Sequence, residues 1–168
     1  SRTKIGLPGL QLELLKEIYK VNNNIVLVVM SGRPLVLTWE DENIPSILQA
    51  WQLGSKSGDA IAKVLFGDYN PSGKLTMSFP RNVGQIPIYY NFKNTGRPST
   101  SIEQVTNSGY ADIENSPLYC FGHGLSYSKF KYENFNLVNY NPQDSILYFS
   151  VDLTNNSDIE GKEISQLY

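Results

Sequence analysis

Between Pro8 and Val21 the apolar positions Leu10, Leu14, Ile18 and Val21 recur at steps of four, four and three, which predicts an amphipathic helix. Pro8 suits the first turn of such a helix, where its missing N–H costs nothing. Glu13, Lys16, Glu17 and Lys20 fall mostly on the opposite face, and Asn22-Asn23-Asn24 ends the element. Ile25 to Met30 follows as an unbroken, β-branched apolar run, the pattern of a strand buried on both faces. Ser31-Gly32-Arg33-Pro34 reads as a turn, and Ile47 to Trp51 as a second short buried strand. A glycine-bearing loop, Gly54 to Gly58, precedes a predicted helix over Asp59 to Phe66, which Gly67 stops in the C′ position.

The order helix, strand, strand, helix argues for a layered α/β/α sandwich with a mostly parallel sheet. Asp68 to Gly73 is dense in turn formers, and Lys74 to Phe79 alternates like a strand closed by Pro80. Residues 81–124 carry Pro, Gly, Asn, Ser and Tyr with little periodicity, so a long irregular segment is expected, functional or draped over a neighbour. Alternation returns in Phe130 to Leu137 and in Ile146 to Leu153, and Gly161 to Tyr168 is predicted to start a third strand. Three strands with polar turns suggest the beginning of a β-sandwich and are too few to close one. The chain is therefore expected to be truncated at both ends.

Composition narrows the choice of function. An apolar fraction of 40% and a charged fraction of 18% fit a globular protein. The net charge of −2 is scattered, with no basic stripe, so neither nucleic acid nor an anionic membrane is an expected partner. Eleven tyrosines, seven phenylalanines and two tryptophans favour core and turn packing, with stacking on sugar rings as the sharper alternative. The lone Cys120 leaves no internal disulfide, and the lone His123 gives little support to histidine triads or multi-histidine metal sites. No run approaches the ~20 apolar residues of a membrane helix. Ser1-Arg2-Thr3-Lys4 has no start methionine and no apolar h-region behind it, so this start reads as internal to a longer chain.

Seven short motifs occur in order: Leu7-Pro8-Gly9-Leu10-Gln11; Ala50-Trp51-Gln52-Leu53-Gly54; Gly58-Asp59-Ala60-Ile61-Ala62; Leu65-Phe66-Gly67-Asp68-Tyr69-Asn70-Pro71-Ser72-Gly73-Lys74-Leu75; Tyr89-Tyr90-Asn91; Thr95-Gly96-Arg97-Pro98; and Phe121-Gly122-His123-Gly124-Leu125-Ser126-Tyr127. The series resembles the second domain of family three glycoside hydrolases, which include β-glucosidases and β-xylosidases. Val151 to Tyr168 resembles the first strands of the fibronectin type III-like domain that often follows. The resemblance implies an α/β domain over residues 1–127 and an incomplete fibronectin-like domain over 128–168. Two departures, cysteine at 120 where the family commonly has proline and histidine at 123 where it has tyrosine, fall in a structural connector.

The family's members are retaining enzymes, whose two carboxyl groups stand ~5–5.5 Å apart. The resemblance implies that the nucleophilic aspartate belongs to an amino-terminal barrel and that the acid/base glutamate precedes Ser1 by a few residues. No catalytic residue is therefore assigned within this chain, and no cofactor is implied. The expected partners are an oligosaccharide or glycoside substrate and the barrel of the same parent chain; the family's usual location is periplasmic or secreted. Glucose, xylose and N-acetylglucosamine remain open as the sugar.

The candidate substrate contacts are Arg2, Trp51, Tyr90, Asn91 and Arg97. Arg2 is named for its proximity to the glutamate loop. Trp51 ends a predicted buried strand, where open α/β sheets often face their ligand, although core packing is the favoured reading. Tyr90, Asn91 and Arg97 lie on the long loop and suit an outer sugar subsite or a domain contact equally. Glu40-Asp41-Glu42 reads as a solvated turn, Asp68 as a turn former, and Asp112 and Glu114 as hydrated loop residues. Gly54 to Gly58 is better read as a strand-to-helix turn than as an anion cradle, since the Walker ending is missing. Asn155-Asn156-Ser157 matches a glycosylation sequon, a frequent accident in an Asn-rich chain. Two other classes fit less well: a non-catalytic carbohydrate-binding module, and a flavodoxin-like nucleotide-binding domain, which lacks its phosphate loop.

Overall fold

A computed structural model describes residues 2–94, 96–97, 108–143 and 145–168; Thr95 and Pro98 of the Thr-Gly-Arg-Pro motif lie outside them. The chain forms two compact units, Ser1–Asp59 with Leu75–His123, and Ala60–Lys74 with Gly124–Tyr168.

In unit one, helix α1 spans Gln11–Val21, strand β1 Val26–Val29, helix α2 Thr38–Asn43 and strand β2 Ser46–Gln49, and helix α3 begins at Ser57 and runs to Leu65. Pro8 lies in the turn before α1, accepting the Gln11 N–H at 3.3 Å. Asn22 closes α1 by donating its N–H to Ile18 and by folding its side chain back to accept from the Asn24 N–H at 2.9 Å. β1 and β2 pair in parallel, Val26 opposite Ser46 and Val29 opposite Gln49, with α2 on the connection between them. Val29, Leu35, Leu37 and Phe79 form the buried core, with Leu7, Leu27, Ile47, Trp51 and Tyr119 packed against them. The Phe79 ring meets Trp51 and Tyr119 edge-on at 5.9 Å each, the geometry that a ring quadrupole prefers.

The predicted amphipathic helix forms as α1, with Leu14, Ile18 and Val21 exposed, Leu15 buried and Tyr19 edge-on to Trp39 at 5.8 Å. Two expectations for this unit change. Glu40-Asp41-Glu42 is part of α2, not a solvated turn, and Glu40 is only 2% exposed. Helical spacing explains it, because Glu40 shares a face with the buried Leu37 and Ile44. Lys74 to Phe79 is not a continuous strand. It is extended chain pinned at two points, where Leu75 exchanges hydrogen bonds with Gly122 and His123 and Phe79 exchanges them with Leu118 and Tyr119.

Unit two contains the rest of α3 and a hairpin of strands β3 (Phe130–Asn141) and β4 (Ile146–Asn155). Gly67 sits at φ 84° just past α3, a conformation that disfavours any other residue. The Asn70 side chain donates to Ser128 Oγ at 2.8 Å and to the Glu160 carbonyl at 3.0 Å, while its oxygen accepts from Ser126 Oγ and the Tyr127 N–H, each at 2.9 Å. A Cβ on Gly124 would stand 2.5 Å from the Gly73 carbonyl oxygen, so the backbones there touch as only glycine permits. Residues 161–168 do not form the predicted third strand. They are held through side chains: Tyr132 Oη donates to Glu163 at 3.2 Å, and Lys74 pairs with the same carboxylate at 3.4 Å.

Candidate functional site

Polar groups converge in unit one at the carboxyl ends of β1 and β2. An apolar strand that ends in a polar residue presents that side chain where the ladder stops, and Gln49 and Ser31 occupy such places. Ser31 Oγ donates to the Arg33 carbonyl at 2.9 Å and accepts from Gln49 Nε2 at 3.2 Å. This pairing orients the Gln49 amide and leaves its Oε1 buried without a hydrogen-bond donor. Two residues on, Trp51 adopts φ 54°, a left-handed conformation that costs a bulky residue energy and turns the chain out of the strand.

The segment Arg2 to Leu7 is tied to the same place. Arg33 Nη2 donates to the Lys4 carbonyl at 3.1 Å, and the Val36 N–H donates to the Ile5 carbonyl at 2.9 Å. Leu7 then inserts against the core. A groove of about 430 Å³ opens between α1 and β1, floored by Leu14, Ile18, Leu27 and Val29 and edged by Arg2 and Arg33.

A second cluster joins α2 to the chain at Tyr119. Tyr119 Oη donates to Asp41 at 2.6 Å; burial together with that carboxylate pushes the phenol well above its ordinary value of 10.0. Burial also raises the Glu40 carboxyl, against the pull of its own backbone N–H and of Lys16. Lys16 Nζ rests over the Trp39 ring at 5.1 Å.

Of the predicted contact residues, Arg2 is exposed beside the tied segment and Trp51 is half-buried at the end of β2. Trp51 meets Phe79, as the packing reading expects, and its strained backbone sits at the strand end that the ligand reading singles out. Tyr90 stacks on Phe121 at 4.7 Å, Asn91 is exposed, and the exposed Arg97 accepts the Ser108 N–H at its carbonyl. Asp112 and Glu114 are exposed, as expected of hydrated loop residues; Glu114 pairs with Arg81 at 2.9 Å. The Asn155 amide is engaged in a turn, donating to the Ile159 carbonyl at 2.8 Å. Sequence reasoning missed Ser31, Arg33 and Gln49 as a group. The available signal was a polar residue closing each of two apolar runs, the first inside what read as an ordinary turn.

A profile of the Glycosyl hydrolase family 3 C-terminal domain matches residues 1–127. Over its whole length the chain is 46% identical to the "Periplasmic beta-glucosidase" of Salmonella typhimurium and 41% identical to a "Beta-xylosidase" of Formosa agariphila, covering 22% of each. It is also similar to the crystal structure of a β-glucosidase from Listeria innocua in complex with isofagomine, with a TM-score of 0.85 and 39% identity over 92% of this chain and 22% of that one. The chain thus spans about a fifth of the length of these relatives. Matched in its family profile across β1, β2, the strand-end cluster and the tied segment, this chain belongs to glycoside hydrolase family three.

Proposed function

We propose that the chain is part of a retaining, exo-acting β-glucosidase that removes terminal β-linked sugars from oligosaccharides or glycosides. The observation that carries this reading is the likeness to a β-glucosidase along the whole chain at 46% identity. In this reading both carboxyl groups lie outside the 168 residues. The nucleophile stands on a preceding barrel and the acid/base glutamate in a loop just upstream of Ser1. The acid protonates the departing glycosidic oxygen while the nucleophile forms a glycosyl-enzyme ester; the same glutamate, now a base, then takes a proton from the water that opens the ester.

Residues 1–127 would be a layered α/β/α domain forming one wall of the active site, and 128–168 the start of a fibronectin type III-like domain. Arg2, Trp51, Tyr90, Asn91 and Arg97 are the proposed contacts toward sugar or barrel. The name of the Salmonella relative supports a periplasmic or secreted location.

The test compares the full-length parent chain with the isolated 168 residues on aryl β-glucosides and β-xylosides. Turnover by the parent and none by the isolated chain is expected. Turnover by the isolated chain, free of contaminating glycosidase, overturns the placement of the carboxyl groups. A parent without turnover whose isolated chain binds sugar replaces the enzyme with a carbohydrate-binding module.

A further inference from the structure

We propose that Arg33 is a positioning residue for the general acid, acting through the Lys4 carbonyl; this rests on the reading that the acid/base glutamate lies just upstream of Ser1. The backbone of residues 4 and 5 is held at two successive carbonyls, Lys4 by the Arg33 guanidinium at 3.1 Å and Ile5 by the Val36 N–H at 2.9 Å. Leu7 locks the segment from the other side by packing into the core. Chain entering at Arg2 is thus fixed within a few residues of where the loop must deliver its carboxyl group.

Arg33 is itself braced. Its carbonyl accepts from Ser31 Oγ, and Ser31 Oγ accepts from Gln49 Nε2, so the line of bonds runs from the end of β2 through the β1 turn to the amino-terminal segment. A planar guanidinium holds its donors in a fixed fork, which a lysine ammonium does not reproduce. Positioning matters because a displacement of about 1 Å at a reacting group can cost ~100-fold in rate.

Leaving-group dependence separates this role from general structural support. In the first chemical step the carboxylic acid gives its proton to the leaving oxygen; activated aryl leaving groups need little of that help, and alkyl or sugar leaving groups need most of it. The experiment takes the full-length parent chain with Arg33→Met, Arg33→Lys and Ser31→Ala. It measures kcat/KM on an activated aryl β-glucoside and on an alkyl β-glucoside, alongside thermal unfolding.

Arg33→Met is expected to lower kcat/KM on the alkyl glycoside ~10–100-fold and on the aryl glycoside by less than about 3-fold, with unfolding unchanged. Arg33→Lys should show a smaller loss of the same selectivity, and Ser31→Ala a smaller one still. On the aryl glycoside kcat and KM should fall together, because the misplaced group also serves as base for the second step. Equal losses on both substrates, or no loss on either, overturn the positioning role while leaving the β-glucosidase reading intact. A parent chain inactive on both substrates before any substitution overturns that reading and this one with it.

Discussion

The two units are held together by different physics. Every buried apolar side chain among the described residues belongs to unit one: Leu15, Val29, Leu35, Leu37, Ile44, Phe79 and Pro80. Among the described residues of unit two the buried one is Ser128, and cohesion comes from polar contacts around Asn70 and around the Lys74–Glu163 pair. Burying a large apolar side chain contributes ~1.5–3 kcal/mol, whereas a typical hydrogen bond contributes ~0.5–1.5 kcal/mol net because water competes for its partners. Unit one can therefore tolerate loss of a surface bond, while unit two depends on a few polar side chains in fixed geometry.

The sharpest way to break this contrast is Phe79→Ala. It deletes the ring between Trp51 and Tyr119 and should cost ~3–5 kcal/mol in denaturant unfolding, the range for large aromatic truncations. A cost below about 1 kcal/mol would mean that unit one is not organised around this ring.

Asn70→Ala should come next, at about 1–3 kcal/mol, since it leaves the Tyr127 N–H and the Glu160 carbonyl without their shared partner. Amide hydrogen exchange should report the loss at residues 126–128 and leave the Val26–Val29 strand protected. Faster exchange in both units to the same degree would deny them separate cohesion.

The smallest effect is expected at Glu40. Burial raises its carboxyl above the ordinary 4.5, so the folded state resists ionisation. Below pH 4.5 the group is neutral in folded and unfolded chains alike and carries no penalty. As pH rises through the window above 4.5 the unfolded chain ionises first, and stability falls until the folded value is passed. Glu40→Gln removes this dependence. The variant should be more stable than the parent at neutral pH, and its advantage in melting temperature should vanish in acid. A variant less stable than the parent at neutral pH would make the ionised carboxylate a favourable partner in unit one.

What could be seen in the sequence follows from how local each cause is. β1, β2 and α3 were legible because each carries its own apolar pattern, and Gly67 because a helix end asks for a left-handed residue. The burial of Glu40 was not, since α2 spans six residues and three adjacent acids outweighed any periodicity. Lys74 to Phe79 alternates as a strand does, yet alternation says nothing of whether a partner runs alongside for the whole length. Trp51 could be placed at a strand end from pattern, and Arg2 near the glutamate loop only from resemblance. The line from Gln49 through Ser31 and Arg33 to Lys4 could not, because its bonds join residues 18 and 29 positions apart.

The β3–β4 hairpin carries a consequence for colloidal behaviour. Its apolar side chains, among them Phe135, Leu137, Tyr140 and Phe149, are exposed along strands of 12 and 10 residues. A straight ribbon of that kind is a template on which other copies can add strand to strand. Here the pairing shifts register between Glu133 and Asn136 and again between Leu137 and Asn139, and Asn134 sits at φ 52°. Bulges at such shifts bend and twist a ribbon, so no long flat edge is offered to a neighbour. The same irregularities shorten the regular stretches of ladder on which a second copy could pair.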